Sequence, residues 1–411
     1  MTRGIARAGQ PAALIDDPDG PIRLASELVA AASPNPPGDE RAAAAVLVAA
    51  LRELGIEDVR DVGPSPLRRN VVARVPGRIG GRSLILNGHI DTKPPGELQA
   101  WGTPPWEPTV RDGRLHGLGA ADMKGAVAAM TFAAAEVARA ELAGDLVLMF
   151  TADEEEGSAS GARWLAEQGM IPAADAAIIG EPSGLTRDWD AIRLVSRGVC
   201  LFRVDVEGTS MHSSLSDHLE SVNASVEMAR LVTRFADEGG SMLRHRAHPL
   251  AVGGPTLNVA LVAKGGSGQG VVPGSASFVS DVRALPGMER DEIIRDVEAF
   301  LARAAEAQPG LRASVEVEAW LPPCEIDPAH PVVGALAEAS AEVLGVAPPF
   351  AVFPGGTDAP HFQLASGVPT VPSCGPGLLT AAHRPNESIA LQSIIDATAI
   401  YAGAAKRFLA D

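Results

Sequence analysis

The stretch SLILNGHID, residues 83–91, is a short apolar run that ends in glycine and is followed at once by a histidine and an aspartate. Two later stretches have the same form, DLVLMFTADEEE at 145–156 and AAIIGE at 176–181. Short continuous apolar runs are typical of strands buried in a parallel sheet. Because ligands bind beyond the carboxyl ends of such strands, we expect the polar residues to meet at one sheet edge.

Helical patterns separate these predicted strands. Residues 39–55 and 124–139 each carry a broad apolar face, and the first segment has an acidic first turn and ends at glycine. Strands that alternate with helices indicate an α/β fold. We therefore predict a catalytic domain built on a doubly wound mixed sheet.

The pattern changes after Pro182. Alternating apolar and polar residues predict strands with one solvent-facing side in LFRVDVEG (201–208), TLNVALVAKGG (256–266) and SFVSDVRALPG (277–287). Amphipathic helices are predicted at about 219–237 and 289–307. This is an α+β domain, predicted at 194–321, inserted into a catalytic domain formed by 1–193 and 322–411. The pair Pro322-Pro323 is a plausible return linker.

Composition and charge exclude several classes of protein. The 411 residues include 51 acidic and 34 basic side chains, a net charge of -17, so we expect neither nucleic acid nor membrane as a partner. The apolar runs are far shorter than the ~20 residues that span a bilayer, and the first twenty residues do not resemble a secretion signal. An odd number of widely spaced cysteines, Cys200, Cys324 and Cys374, suits a cytoplasmic location.

Five ionisable residues are expected at the predicted sheet edge: His89, Asp122, Glu155, Glu181 and His383. Taken singly, each has a simpler explanation, since a histidine after a strand is often structural and Asp122 could start its helix. Together they are hard to explain without cations, because unpaired buried charges are costly. We predict one divalent ion between His89, Asp122 and Glu181, and a second between Asp122, Glu155 and His383.

Each predicted ion has three protein ligands and an open position, which is typical of a catalytic zinc site. Asp91 is expected to accept the other ring N–H of His89 and so to fix its tautomer. Glu154 is left beside the ions without a coordination role, and we expect it to take a proton from the attacking water.

Eight motifs, in chain order, carry a resemblance to a known family: HIDTKPPGELQAWGTPPWEP (89–108), GLGAADMKGA (117–126), TADEEEGSASGA (151–162), GEPSG (180–184), GTSMHSS (208–214), VRALPG (282–287), GGTDAPHF (355–362) and GPGLLTAAHRPNE (375–387). From about Ile22 to the C-terminus, the chain resembles the di-zinc amidohydrolase and exopeptidase family. Its members include acetylornithine deacetylase, succinyl-diaminopimelate desuccinylase, aminoacylase and glutamate carboxypeptidase.

The resemblance implies a catalytic domain with an inserted lid that also forms the contact of a homodimer. It implies metal ligands at the five positions above, with Glu154 as base and Glu155 as ligand. Glu156 creates a one-residue ambiguity, which the preceding residues 151–153 resolve. The implied cofactors are two divalent ions, zinc in the first place, with cobalt or manganese as alternatives.

Two lid residues are also matched to the family. His212 corresponds to a histidine that reaches across the dimer to polarise the scissile carbonyl. Arg283 corresponds to an arginine that pairs with the substrate carboxylate, a task suited to a planar bidentate donor. The alternatives are a surface histidine and a solvated strand arginine. Lid motion is expected to hinge near Gly184–Ala191 and at Pro322-Pro323.

The predicted function is metal-dependent hydrolysis of the amide bond of N-acyl amino acids. Carboxypeptidase or dipeptidase action on small peptides is the alternative within the same chemistry, and an inactive metal-binding paralogue is the alternative of another class. Three positions depart from the family pattern: Gly270 stands where asparagine is common, Leu118 where arginine is common and Lys93 where an aliphatic residue is common. These departures leave the acyl group and the amino acid open, with a mild preference for small or apolar acyl chains.

Overall fold

A computed structural model describes residues 17–78, 80–244 and 247–410. Most of the N-terminal stretch for which we predict no secretion signal lies outside the described residues. In the part of the chain that is described, no helix combines the length and apolarity needed to cross a membrane.

The helices are α1 (Gly20–Ala30), α2 (Arg41–Glu53), α3 (Gly125–Ala140), α4 (Ala162–Glu167), α5 (Ala224–Glu238), α6 (Arg290–Ala307), α7 (Pro331–Leu344), α8 (Ala359–Ser366) and α9 (Leu391–Phe408). The strands are β1 (Asp58–Val62), β2 (Asn70–Val75), β3 (Ser83–His89), β4 (Thr109–Arg111), β5 (Arg114–His116), β6 (Asp145–Thr151), β7 (Ala176–Ile179), β8 (Pro182–Gly184), β9 (Ile192–Ser196), β10 (Gly198–Glu207), β11 (Met211–His212), β12 (Thr256–Gly265), β13 (Val271–Val272), β14 (Ser275–Ala284), β15 (Arg312–Leu321), β16 (Cys324–Glu325), β17 (Phe350–Phe353), β18 (Thr370–Val371), β19 (Gly375–Leu378) and β20 (Ser388–Ala390).

These elements form two compact units. The first unit contains the described residues up to Val195, together with Glu325–Phe353 and those from Thr357 onward. The second unit contains Ser196–Cys324 and Pro354–Gly356. The predicted α/β class is confirmed.

A mixed six-stranded sheet, in the order β1-β2-β6-β3-β7-β18, forms the centre of the first unit. Strands β6, β3, β7 and β18 run parallel, whereas β1 and β2 are antiparallel to their neighbours. The register places His89 beside Thr151. Strand β7 ends at Ile179, two residues before Glu181, so the polar residues that follow three strands come to one edge.

Helix α3 packs close to this edge because a glycine on β3 and another directly after β7 leave room for it. A Cβ at Gly88 would lie 2.9 Å from Val127 Cγ2, and one at Gly180 would lie 3.1 Å from the Cβ of Ala126. The alanine-rich face of α3 complements these gaps, and most of the helix is buried. The turn that precedes α3 is thereby held against the strand ends.

The second unit contains an antiparallel sheet in the order β12-β14-β10-β15. Residues of β10 alternate between buried and part-exposed, as the alternating sequence predicts. The α5 and α6 helices cover the sheet, and the ring of Phe235 packs edge-on against Phe278 at 5.5 Å and Phe300 at 4.5 Å. Helix α5 begins at Ala224 rather than near 219, because the Asn223 side chain caps its first turn.

Candidate metal centre

Three of the predicted ligand segments leave the carboxyl ends of neighbouring parallel strands. His89 is the last residue of β3 and is 1 % exposed. After β6 the chain turns at Asp153, whose φ is 63°, into a single 3₁₀ turn, Glu154–Glu156. Glu181 follows β7 and is 4 % exposed. The strand ends therefore bring the His89 imidazole and the carboxyl groups of Glu154, Glu155 and Glu181 to one place.

Two further segments close the site from loops. Asp122 lies in the turn Ala120–Lys124, between β5 and α3, and is 5 % exposed. His383 comes after β19 and a 3₁₀ turn, Leu379–Ala381, and its own φ is 57°.

The nitrogen–oxygen distances divide the five residues into two sets that share Asp122. His89 Nε2 lies 3.1 Å from Asp122 Oδ1 and 3.6 Å from Glu181 Oε1. On the other side, His383 Nε2 lies 3.1 Å from Asp122 Oδ2 and 3.0 Å from Glu155 Oε1. One oxygen of Asp122 thus faces each imidazole.

The cluster also includes Glu154. Potential ligand atoms of His89, Glu154 and Glu181 all lie within 4.8 Å of one another, as do those of His89, Asp122 and Glu155. Glu154 therefore lies next to the first set, with His89 and Glu181. A carboxylate there is placed to accept a proton from water held by that set.

The electrostatics show how strongly the ligand groups interact. Burial would raise the pKa of Asp122, but hydrogen bonds from His383 and His89 outweigh it and hold that pKa well below its usual range. Burial would lower the pKa of His383, but Asp122 and Glu155 raise it to about 11. Burial raises the pKa of Glu181 well above its usual range, and the charge of Asp122 adds to the effect.

Burial affects the pKa of Glu154 in the same direction as that of Glu181. Burial raises the pKa of its carboxyl well above the usual range, and the charges of Asp358 and Glu155 add to the rise while His89 opposes it. A group of carboxylates under this mutual repulsion is stabilised by bound cations. Imidazole nitrogens and carboxylate oxygens are donors that zinc accepts, so the residues present fit a pair of divalent ions.

Asp91 contacts the centre differently from the sequence expectation. His89 Nδ1 lies 3.0 Å from the main-chain oxygen of Asp91 and 3.6 Å from its carboxylate Oδ1. The carboxylate accepts hydrogen bonds from the backbone N–H groups of Glu154, at 3.1 Å, and Glu155, at 3.3 Å. Asp91 thus orients the histidine through its backbone and the glutamate turn through its side chain.

A buried polar network that sequence reasoning missed supports this turn. The Asn35 side-chain amide donates to Asp91 Oδ2 and to Asp153 Oδ1, both at 2.9 Å. Arg68 pairs with Asp153 and lies 3.2 Å from the fully buried Glu40. The contacts with Asp91 and Asp153 join segments more than fifty positions apart, and no local sequence motif indicates them.

Asp358 holds the same loop from its other side and was also missed. Its carboxylate accepts hydrogen bonds from Thr151 Oγ1 at 2.9 Å and from Ser158 Oγ at 2.5 Å. These two residues flank the glutamate turn. Asp358 lies in GGTDAPHF, one of the motifs that carry the family resemblance, but no role was predicted for it.

His212 and Arg283 belong to the second unit. His212 is exposed at the end of β11, and its Nδ1 accepts a hydrogen bond from the Ser214 N–H at 3.2 Å. Arg283 lies on β14 and pairs with Asp281 Oδ2 through Nη2 at 2.9 Å. Asp281 in turn accepts from the Asn258 amide at 2.6 Å. The Arg283 guanidinium therefore already has a carboxylate partner.

The three residues that depart from the family pattern have distinct surroundings. Leu118 is buried, and the Lys93 ammonium lies 2.9 Å from Glu156 Oε1 and 3.8 Å from Glu155 Oε2. Gly270 has a φ of 79°, and a Cβ there would meet no heavy atom within 4 Å. Lys93 is thus the departure that directly contacts the glutamate turn.

A model of peptidase family M20/M25/M40 matches residues 85–407. The chain belongs to this family. The match confirms the resemblance inferred from the motifs, and the M20 assignment makes the chain a metal-dependent amide hydrolase.

Individual M20 relatives match nearly the whole chain. A succinyl-diaminopimelate desuccinylase from Parvibaculum lavamentivorans is 29 % identical over 402 residues, covering 95 % of this chain and 96 % of the relative. An M20 family metallo-carboxypeptidase from Sulfolobus solfataricus has a TM-score of 0.79 at 19 % identity, with 95 % and 99 % of the two chains covered. A dinuclear metal binding M20 peptidase from Bacillus subtilis has a TM-score of 0.67 at 16 % identity, with 95 % and 98 % covered.

Proposed function

We propose that the protein hydrolyses the amide bond of N-acyl amino acids with two divalent ions bound at the strand edge. One ion is assigned to His89, Asp122 and Glu181, and the other to Asp122, Glu155 and His383. The observation that carries the proposal is the position of Asp122, whose Oδ1 and Oδ2 each lie 3.1 Å from a different imidazole Nε2. A carboxylate so placed can bridge two ions.

Zinc is the metal proposed first, with cobalt or manganese as alternatives, because the donors are imidazoles and carboxylates without thiolate. Bound ions would supply Lewis acidity that acidifies water and polarises the scissile carbonyl. The relative from Bacillus subtilis described as dinuclear supports the number of ions proposed.

Glu154 is proposed to move the proton. Its carboxylate takes a proton from the attacking water and passes it to the leaving nitrogen, so that one group serves both halves of the reaction. Asp91 accepts the Glu154 backbone N–H and is proposed to hold the base in position.

His212 is proposed to polarise the substrate carbonyl from a second copy of the chain. Because its Nδ1 accepts a hydrogen bond from the Ser214 N–H, the proton of the neutral ring resides on Nε2. That tautomer makes Nε2 a donor for a carbonyl oxygen. A homodimer closed by lid motion is therefore part of the proposal.

Arg283 is proposed to bind the carboxylate of the substrate. Its pairing with Asp281 holds the guanidinium in one orientation, and a planar guanidinium can contact a further carboxylate along another edge. The desuccinylase relative acts, by its name, on a succinylated amino acid, which supports an N-acyl amino acid as the substrate class. A small or apolar acyl chain is preferred here because Gly270 and Leu118 present no polar side chain.

A cytoplasmic location is also proposed. The three cysteines, Cys200, Cys324 and Cys374, are free and buried, which fits a reducing compartment. Net charge of -17 supports a small-molecule substrate over a nucleic acid or a membrane surface.

A hydrolysis screen tests the function. Zinc-loaded protein is assayed against N-acetyl, N-propionyl and N-succinyl amino acids and against dipeptides, with Glu154→Gln as the blank. We expect cleavage of N-acyl amino acids with the free amino acid as product. Preferential cleavage of dipeptides would favour the carboxypeptidase or dipeptidase alternative, and no cleavage by metal-loaded protein would favour an inactive paralogue.

A further inference from the structure

A buried carboxylate that the proposed mechanism does not use lies against the Asp122 turn. Glu387 is 1 % exposed and lies four residues after His383, directly before β20. Its Oε1 accepts hydrogen bonds from the backbone N–H groups of Ala121, at 2.8 Å, and Asp122, at 3.1 Å. Its Oε2 accepts from the Gly119 N–H at 3.0 Å.

A small sheet explains why Glu387 lies there. Strand β20 pairs antiparallel with β5, so that Ser388 lies beside His116 immediately before the turn. The Gly117 N–H also donates to the main-chain oxygen of Glu387 at 3.0 Å. The main chain of the His383 segment is thus attached to the residues that lead into the turn that carries Asp122.

The turn itself has little freedom to adapt. Gly119 has a φ of 79°, in the left-handed region, and a Cβ at this position would lie 2.5 Å from Thr92 Cγ2. The two oxygens of the Glu387 carboxyl group each act as acceptors for these N–H groups. Three such bonds from one side chain therefore fix where the Asp122 backbone lies.

We propose that Glu387 is a positioning residue that fixes Asp122 relative to His383 and so sets the affinity for the ion these two residues share. This inference rests on the proposed function, since it takes Asp122 and His383 as ligands. Hydrogen-bond partners of metal ligands typically contribute about 10- to 100-fold to metal affinity. The effect falls mainly on the ion at His383, because His89 is held separately by the register of β3 with β6.

Calorimetric titration of metal-free, full-length protein with Zn²⁺ tests the inference. Wild type is expected to show two binding events, and His383→Ala identifies the event that depends on His383. Glu387→Gln keeps the shape of the side chain but places an amide NH₂ against backbone N–H donors. The zinc affinity of the His383-dependent event should therefore fall by about 10- to 100-fold. The event that remains in His383→Ala should weaken less in Glu387→Gln, because only one of its ligands, Asp122, is held by Glu387.

Asp190→Asn is the matched control. The Asp190 carboxylate also accepts backbone N–H groups in the first unit, those of Leu185 and Thr186, at 2.8 and 2.9 Å. It holds a different turn, so both zinc affinities should be unchanged. Glu387→Asp is a second test variant that keeps the charge but is one methylene too short for all three bonds, and it should weaken the His383 event to a smaller extent.

Unchanged zinc affinity in both Glu387 variants would overturn the inference. Equal weakening of the two events, with a lower melting temperature of the metal-free protein, would mark a purely structural role and would also overturn it. If Glu387→Gln does not fold, as judged by circular dichroism, the Glu387→Asp titration decides. Wild-type protein that binds no zinc would contradict the proposed function itself, and the inference would fall with it.

Discussion

The metal centre of the first unit and the two lid residues of the second unit differ in how the fold supports them. At the centre, side chains from five separate segments converge, with imidazole nitrogens 3.0 to 3.6 Å from carboxylate oxygens. In the second unit, His212 bonds to Ser214 and Arg283 to Asp281, each a neighbour two residues away. Convergence within one chain supports the ligand assignment directly, whereas the lid residues have proposed roles that need a substrate or a second copy.

The largest effect expected at the centre is the loss of the base. Glu154→Gln should lower kcat by about 10²- to 10⁴-fold with the zinc content unchanged, because the variant cannot accept a proton. Glu156→Gln is the matched control, since Glu156 is the exposed neighbour that pairs with Lys93, and its kcat should stay close to that of wild type. Full turnover in Glu154→Gln would show that another glutamate of the turn is the base.

Hybrid dimers extend the comparison to the second unit. Glu154→Ala and His212→Ala should each be inactive alone, but after subunit exchange one site of each hybrid contains both residues intact. Activity should therefore return in the mixture, measured against each variant mixed with itself. Proven exchange without recovery would exclude a role for His212 across subunits.

A smaller effect is expected at the proposed carboxylate anchor. Arg283→Lys keeps the charge but loses the bidentate fork. The transition-state stabilisation measured by kcat/KM should therefore fall by about 1–3 kcal/mol, mainly through a higher KM. Wild type should also prefer a carboxylate substrate over its carboxamide analogue, and the variant should lose part of that preference. If wild type cleaves the two substrates equally well, Arg283 is not the anchor.

The smallest effect is expected at Gly270. Gly270→Asn restores the residue common in the family, and asparagine tolerates the left-handed backbone better than most residues. A Cβ there meets open space, but the left-handed backbone still strains a side chain, so stability should fall by about 1 kcal/mol. Relative kcat/KM for polar acyl chains should rise against apolar ones. An unchanged acyl preference would show that Gly270 does not determine which acyl group is cleaved.

The strands and the ionisable residues that follow them at the sheet edge could be predicted because they are local patterns. The predicted strand at 83–88 is β3, Ser83–His89, and that at 145–152 is β6, Asp145–Thr151. The predicted helix at 124–139 is α3, Gly125–Ala140. An apolar run followed by ionisable residues indicates both a buried strand and its functional end.

The supporting residues could not be predicted, because their partners are set by tertiary structure. Glu387 bonds to backbone N–H groups more than 260 positions earlier, and backbone groups leave no signal in a sequence. Asn35 and Arg68 reach the glutamate turn across 118 and 85 positions. The start of α5 was misplaced for a local reason, since the cap at Asn223 outweighs the apolar pattern that begins at Leu219.

The metal content of wild-type protein and of His383→Ala tests the central claim most directly. Each protein is purified with zinc and dialysed, and its bound metal is measured by mass spectrometry against protein concentration. Two donor sets that share Asp122 predict two ions per wild-type chain and one in His383→Ala, whose His89 set is intact. Fewer than two ions in wild type, or two ions retained by His383→Ala, would contradict the account.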